Sequence, residues 1–445
     1  MTVDESSAAP PEQPSHPEPA QPATPSDLAL GRYRARMRRL RIWYYAGIAV
    51  VVAAVVAAVT VGWSHSEVAH TTLKTAAKPA PSVALQTPAQ ALPLSWQTGD
   101  ATAIGTPYWG GTVITYSSDS VRGRNAATGD ITWSYTRTDR TVCQAIQVEG
   151  VTVAIFELHG NCDQVTALDS ATGKRKWSRT LDKDGMPLNG RPTYAVSQYT
   201  IMMTTPSVIY AIDPAGGLDR WTFTQQGCTI RGAVFGTQGA LISQNCVNPD
   251  CGVQKFCGAG DQLLLRDATA GRSDSDKDKA NPDQIKWNLI GSTLLPASAD
   301  QLISAIDTST HELRALDVAK GTLRGRLALQ RGVIGSTVAQ VATARAELLW
   351  IGGVTYSVEL TGADYFWATA TAGPPTVTPL PGAPAGTTEL SQSELSAAVP
   401  GGIALLDPNT GKASASFPVT APADSRAYPF GGGFIVAGST TAVYG

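Results

Sequence analysis

The chain has 445 residues, 43% of them hydrophobic, with 43 glycines, 29 prolines and a formal net charge of −2. That length allows a large buried core. The near balance of 34 Lys+Arg against 36 Asp+Glu gives no overall sign of a nucleic-acid partner.

Residues 1–28 are rich in Pro, Ala, Ser and Glu. Such a segment buries too little apolar surface to offset its ordering entropy, so residues 1–31 are expected to form a disordered cytoplasmic tail. A basic juxtamembrane segment follows at 32–41, with Arg32, Arg34, Arg36, Arg38, Arg39 and Arg41. Residues 42–63 carry no charge, and about 22 residues at 1.5 Å each cross a hydrocarbon core of ~30 Å. Trp43, Tyr44, Tyr45 and Trp63 suit the two aromatic belts. No Lys or Arg follows until Lys74, so the positive-inside rule places the N-terminus in the cytoplasm and the remainder outside. A cleaved signal peptide is the rival, but the apolar stretch is long for one and no small-residue cleavage site follows. Residues 64–91, with Pro79, Pro81 and Pro88, read as an extracytoplasmic linker.

From residue 92 to 445 short apolar or alternating segments dominate, separated by Gly, Pro, Asn and Asp, which predicts an all-β domain. Its organising stretch is Ala167 to Trp177, in which an apolar run turns at Asp169 to Gly173 and restarts at Trp177. Asp bonds its own turn backbone, Gly takes a positive φ, and the aromatic packs on a neighbouring sheet. The pattern recurs at Asn125, Gly129 and Trp133, and at Asp213, Gly217 and Trp221. Asp267 and Gly271 start a copy whose Trp287 is delayed by a charged insertion. Asp317 with Gly321 and Asp407 with Gly411 lack the Trp, and a weaker copy runs from Val358 through Thr361 and Gly362 to Trp367. Copies roughly 40–55 residues apart have the period of four-stranded propeller blades.

The pattern Ala-x-Asp-x-x-Thr-Gly-x-x-x-Trp resembles the repeat of the pyrroloquinoline-quinone (PQQ)-like β-propeller family, over about Leu92 to Gly445. That family includes quinoprotein alcohol dehydrogenases and the outer-membrane assembly factor BamB. The chain stops at Ala442 to Gly445 where another turn would be due, while Leu94-Ser95-Trp96 resembles the strand that follows such a turn. The first strand is therefore expected to complete the last blade and close the ring, removing free sheet edges. Eight blades of four antiparallel strands result, at about 44 residues each, or seven if the Val358 copy is not a blade.

All six cysteines fall in this outer domain, which suits an oxidising compartment. Local pairing of Cys143 with Cys162, Cys228 with Cys246 and Cys251 with Cys257 is the expected scheme among 15 possibilities. A zinc site from Cys246, Cys251 and Cys257 lacks paired Cys-x-x-Cys spacing and a nearby His. Asp274, Asp276 and Asp278 alternate as in a calcium loop, but Lys279 and Ile285 stand where an EF-hand needs Gly and Glu, so a solvated loop is expected. Ala372 to Ser396 reads as a long surface excursion. The dehydrogenases of the family carry quinone and calcium on the propeller axis with a catalytic Asp, a stacked Trp and often a disulfide of adjacent cysteines. No adjacent cysteines occur in this chain, which is also much shorter than those enzymes. No Gly-x-Ser-x-Gly elbow, His-Glu-x-x-His pair or phosphate-binding loop is present, and His159 and His311 sit beside expected turns.

The expectation is a single-pass membrane protein, held in the lipid bilayer through residues 42–63, with an extracytoplasmic PQQ-like β-propeller. It acts as a non-catalytic binding or scaffold module for an envelope protein or polymer, with no cofactor, metal or catalytic residue assigned. A quinoprotein oxidoreductase and a transmembrane ligand sensor are the alternatives. Ala/Val-rich composition, Arg bias and the tail–anchor–propeller layout resemble proteins of actinobacterial envelopes.

Overall fold

In the computed structural model of the chain, the described residues are 25–64, 67–86, 88, 91–183, 186–188, 190–197, 199–247, 258–267, 285–330, 338–342, 346–360, 364–379 and 393–445. They divide into two units, residues 1–69 and 70–445.

The first unit is a helix, α1, Pro25–Ser64. Its stretch Arg36–Thr60 is long and apolar enough to cross a membrane, and none of that stretch is buried. Residues 1–24 of the expected tail lie outside the described residues, and the helix takes in residues 25–31. Pro25 at its first position has no N–H to satisfy, and Leu28, Ala29 and Leu30 are good helix formers. The basic segment is thus an early part of the same helix, with Arg36, Arg38, Arg39 and Arg41 exposed.

The second unit is an eight-bladed β-propeller. Its described strands form eight sheets of at least four strands, each ordered from the axis outward, plus one two-stranded hairpin. Blade 1 contains Thr112–Tyr116, Ser120–Asn125 and Ile131–Arg137, with the short strand Ala101–Thr102 on its inner side. The inner and outer strands of blade 2 are Val142–Val148 and Arg175–Thr180, and those of blade 3 are Thr193–Ser197 and Asp219–Phe223. Blade 4 runs from Cys228–Gly236 to Ile285–Ile290, and blade 5 from Leu295–Ala299 to Leu323–Ala328. In blade 6 the limits are Val338–Ala342 and Tyr365–Ala370, which settles the count at eight, and in blade 7 they are Thr376–Pro379 and Ala413–Phe417. Part of the expected excursion Ala372 to Ser396 therefore belongs to blade 7, where Val377 and Leu395 join a core cluster.

Blade 8 is split. Its inner strands come from Arg426–Phe430, Gly433–Ala437 and Thr441–Tyr444, and its outer strand is Leu94–Thr98 from the other end of the chain. Leu94 pairs with Tyr444, Trp96 with Val443 and Thr98 with Thr441. This is the closure expected from the chain ends.

Each pair of neighbouring blades shares one hydrophobic cluster among the described residues. Ile146 and Val165 of blade 2 pack with Ile201 and Tyr210 of blade 3, and Val113 of blade 1 packs with Ile435 and Val443 of blade 8. A blade buries its flat faces only against its two neighbours, which is why the ring must close.

The stretch expected as a linker is laid along the propeller from Thr71 onward. Thr71–Lys74 adds a fifth strand to the outer edge of blade 1, pairing with Ser134–Arg137. Ala76 N–H donates to the Thr172 carbonyl of blade 2 at 2.9 Å, and Gln86 N–H to the Gly431 carbonyl of blade 8 at 2.7 Å. Between these points the Ala80–Pro81 backbone covers Gly111 of blade 1. Unpaired N–H and C=O groups on the outer edge of blade 1 attract this extended, Thr-rich segment.

Candidate binding site at the propeller axis

The repeat turns have one geometry. In blade 2 the Gly173 N–H donates to the Asp169 carbonyl at 2.7 Å, and the Thr172 N–H and hydroxyl donate to Asp169 Oδ1 at 2.9 and 2.7 Å. Asn125, Asp213, Asp317 and Asp407 organise their turns likewise, with Gly129, Gly217, Gly321 and Gly411 donating back to them at 2.8 Å. Asp407 is partly exposed, and its carboxyl is held below the ordinary value by hydrogen bonds from the Thr410 hydroxyl and the Thr410 and Asn409 backbone. Gly271, Thr361, Gly362, the pair Cys251 and Cys257, and the Asp274 to Asp278 run lie outside the described residues.

All six repeat tryptophans sit on the outer strand of a blade, and five of them reach the turn of the next. Trp96 donates to the Ala126 carbonyl at 2.8 Å, Trp133 to Ser170 at 2.9 Å and Trp177 to Pro214 at 3.0 Å. Trp287 and Trp367 make the same contact with Val318 at 3.0 Å and Pro408 at 2.9 Å. Trp221 is buried at the blade 3–4 seam, under the Arg266 guanidinium at 4.6 Å from its ring. Blades 5 and 7 carry Gly325 and Ala415 at the equivalent register, opposite Ala315 and Leu405. The tryptophans are therefore wedges between blades, remote from the axis.

Two disulfides lie among the described residues, Cys143–Cys162 and Cys228–Cys246. The second joins directly opposed residues of a hairpin in blade 4. The first links the first and third strands of blade 2 across the strand between them.

The axis holds a cavity of about 720 Å³, within the usual range for ligand sites. Inner strands of blades 3, 4, 5 and 8 and the segment Ala101 to Gly105 build its walls. Tyr116, Tyr194 and Tyr428 contribute phenol rings, and Gln144, Arg231, Arg426 and Asp424 contribute polar groups. Burial pushes the Tyr116 and Tyr194 hydroxyls above their ordinary pKa, so both are neutral donors at physiological pH. Tyr428 donates to the Gly105 carbonyl at 2.9 Å and Tyr116 to Gln144 Oε1 at 3.3 Å. Arg231 pairs with Asp261 at 2.9 Å, whereas Arg426 makes no ion pair among the described residues.

The cavity lining does not fit a quinone held with calcium. Hard cations need several oxygen ligands, commonly carboxylates, and among the described residues Asp424 is the one carboxylate in the lining, which holds no tryptophan among them. Among the described residues one cluster has the spacing of metal ligands, Cys143, Glu157 and Cys162, and its two sulfurs are already joined to each other. A thiolate is required for metal ligation, so that cluster is not a metal site. Sequence reasoning did not find Tyr194, Arg231 or Arg426. Their only signal is a place on the first strand of each repeat, which becomes the inner strand once the ring closes.

One carboxyl stands apart from the axis. Glu347 is buried between blades 5 and 6, where Ser298 Oγ donates to it at 2.9 Å. Burial first, and then the Asp300 charge, pushes its pKa up to about 8. It is a neutral acid through much of the physiological range.

The fold is that of an eight-bladed β-propeller with a closed ring and a polar axial cavity. From residue 87 to residue 234 the sequence matches the family model described as outer membrane protein assembly factor BamB. The matched stretch contains the repeat tryptophans Trp96, Trp133, Trp177 and Trp221. No curated protein matches the sequence. Similar solved structures include BamB from Moraxella catarrhalis, at 14% identity, covering 84% of this chain and 97% of that one with a TM-score of 0.44. Quinohemoprotein alcohol dehydrogenase from Comamonas testosteroni is 11% identical, covering 80% and 76% with a TM-score of 0.45. The computationally designed Ika8 protein is 12% identical, covering 82% and 99% with a TM-score of 0.47. None of these likenesses bears on function.

Proposed function

We propose that the protein is a membrane-anchored, extracytoplasmic propeller that binds and positions an envelope protein or polymer without catalysing a reaction on it. The observation that carries this is the axial cavity: a closed ring presents phenols, amides and arginines there and, among the described lining residues, no nucleophile–base pair and no acidic metal cradle. The helix spanning Arg36–Thr60 and the arginines at its N-terminal side support an anchor with its N-terminus inside. The two disulfides support an oxidising compartment for the propeller. The match of residues 87–234 to an assembly factor favours a scaffold over an enzyme.

The test is photo-crosslinking from intact membranes, with the crosslinker placed in turn at exposed positions of the propeller such as Lys176, Tyr199 and Phe366. Repeated capture of the same envelope component at neighbouring positions supports the scaffold. Dye-linked oxidation of alcohols or sugars by protein reconstituted with quinone and calcium would replace it with the oxidoreductase.

A further inference from the structure

The walls of the axial cavity are strand edges as much as side chains. Thr193, Tyr194, Ala195 and Val196 line it in unbroken succession, as do Arg231 to Phe235. Successive side chains on a strand point to opposite faces, so an unbroken run of lining residues means that the backbone edge itself faces the cavity. Both runs lie on the terminal, inner strand of their sheet. An edge of this kind is a template for another extended chain.

The protein uses such an edge once. Ile104–Gly105, part of the same cavity wall, pairs in parallel with the inner strand of blade 2, Ile104 opposite Ile146 and Gly105 opposite Gln147. The Thr106 N–H donates to the Gln147 carbonyl at 3.2 Å. Gly105 is needed for this approach, because a Cβ there would collide with the Gln147 carbonyl, and its φ is 89°. On its other side the same point lies 3.6 Å from Val196 Cγ1 of blade 3. The inner edge of blade 3 is therefore the next one round, and it is regular over Thr193–Ser197. Blade 4 offers a poorer edge, since its register shifts at Arg231.

The charge and size of the walls narrow the occupant. Ala101, Ala103, Ala195, Ala233 and Ala297 leave room for backbone and modest side chains. Arg426 is half-buried at the start of the inner strand of blade 8, and Arg231 shares Asp261 with Asn245, against the single exposed carboxylate of Asp424. We propose that the axial cavity binds an extended, carboxylate-bearing peptide segment of a partner protein. The segment adds as a strand to the inner edge of blade 3 and sets its carboxylate against Arg426. This assignment rests on the binding-module function and adds to it a site and a ligand class.

The test uses the full-length chain in detergent micelles, panned with a phage library of linear heptapeptides, followed by titration of the synthesised winners. Expected are sequences with a recurrent Asp or Glu, whose affinity falls at least tenfold in Arg426→Glu and in Ala195→Trp, while Arg324→Glu on the outer rim leaves it unchanged. Strand pairing uses every second backbone amide, so N-methylation should weaken binding at alternate peptide positions only. If Ala195→Trp does not fold, Ala195→Leu takes its place. Failure to enrich any peptide overturns the proposal. So do winners indifferent to both cavity variants, winners indifferent to N-methylation, and equal competition by a uronic-acid oligosaccharide. Loss of the peptide site with outer-face crosslinks retained removes this proposal alone, whereas loss of both removes the scaffold as well.

Discussion

Trp133, on the outer strand of blade 1, lies flat against Gly173 in the turn of blade 2. A Cβ built on that glycine would stand 2.7 Å from the indole ring, and its φ is 72°. Gly129 under Trp96, Gly217 under Trp177 and Gly321 under Trp287 repeat the relationship. The glycine thus serves the turn of its own blade and the aromatic wedge of the one before it.

Gly173→Ala should therefore lower stability by about 2–4 kcal/mol, combining a left-handed backbone with an overpacked seam. Urea denaturation of the wild type and the variant measures it. A loss below about 0.5 kcal/mol would mean that the seam adjusts freely and that Trp133 is not a wedge.

Closure of the ring depends on Leu94–Thr98, so Trp96→Ala should cost about 2–3 kcal/mol, less than a fully buried tryptophan because Trp96 is partly exposed. Hydrogen exchange should rise first in Thr441–Tyr444, the strand it covers. Uniform exchange across all blades would show that the closing strand is not a local lock.

Glu347 gives a pH dependence with a definite sign. Its folded pKa, about 8, lies above the ordinary carboxyl value of 4.5. Its contribution is thus complete below the unfolded value and is lost as pH rises through the folded one. Stability of the wild type should fall between about pH 4.5 and 8, and Glu347→Gln should flatten that slope and gain relative to wild type at the alkaline end. Thermal unfolding across the range reads this directly. Parallel curves for the two proteins would show that Glu347 ionises normally.

The Cys228–Cys246 bridge closes a hairpin of sequence separation 18. Replacing both cysteines with alanine should lower stability by about 2–4 kcal/mol. The same loss after reduction of the wild type would assign the whole effect to this bridge, and a larger one would add the Cys143–Cys162 share.

The strongest signals in the sequence were those in which one residue type meets one backbone demand. The turns at Asp169 and Asp213, the six-membered set of wedges from Trp96 to Trp367, and the pairing of the chain ends could be read because Asp, Gly and Trp have few substitutes there. Blade 6 was ambiguous because Glu359 replaces the repeat Asp. Pairings made by very short segments were silent: Ile104–Gly105 and Thr71–Lys74 have no strand pattern of their own and take their conformation from the edges they meet. The axial site was silent for a related reason. Tyr194, Arg231 and Arg426 belong to different repeats and acquire a common surface only when the ring closes.

The strap from Thr71 to Gln86 also determines how the propeller carries mechanical load. Tension applied ahead of Thr71 meets the Thr71–Lys74 pairing with blade 1 first, then the Ala76 link to blade 2, then the Gln86 link to blade 8. Only after these have parted does force reach Leu94–Thr98, the strand whose loss would open the ring. The early contacts act as sacrificial links in series, each yielding length before the next is strained. None of these contacts is among the strand pairings that close the ring, so their rupture would leave the eight-bladed body whole.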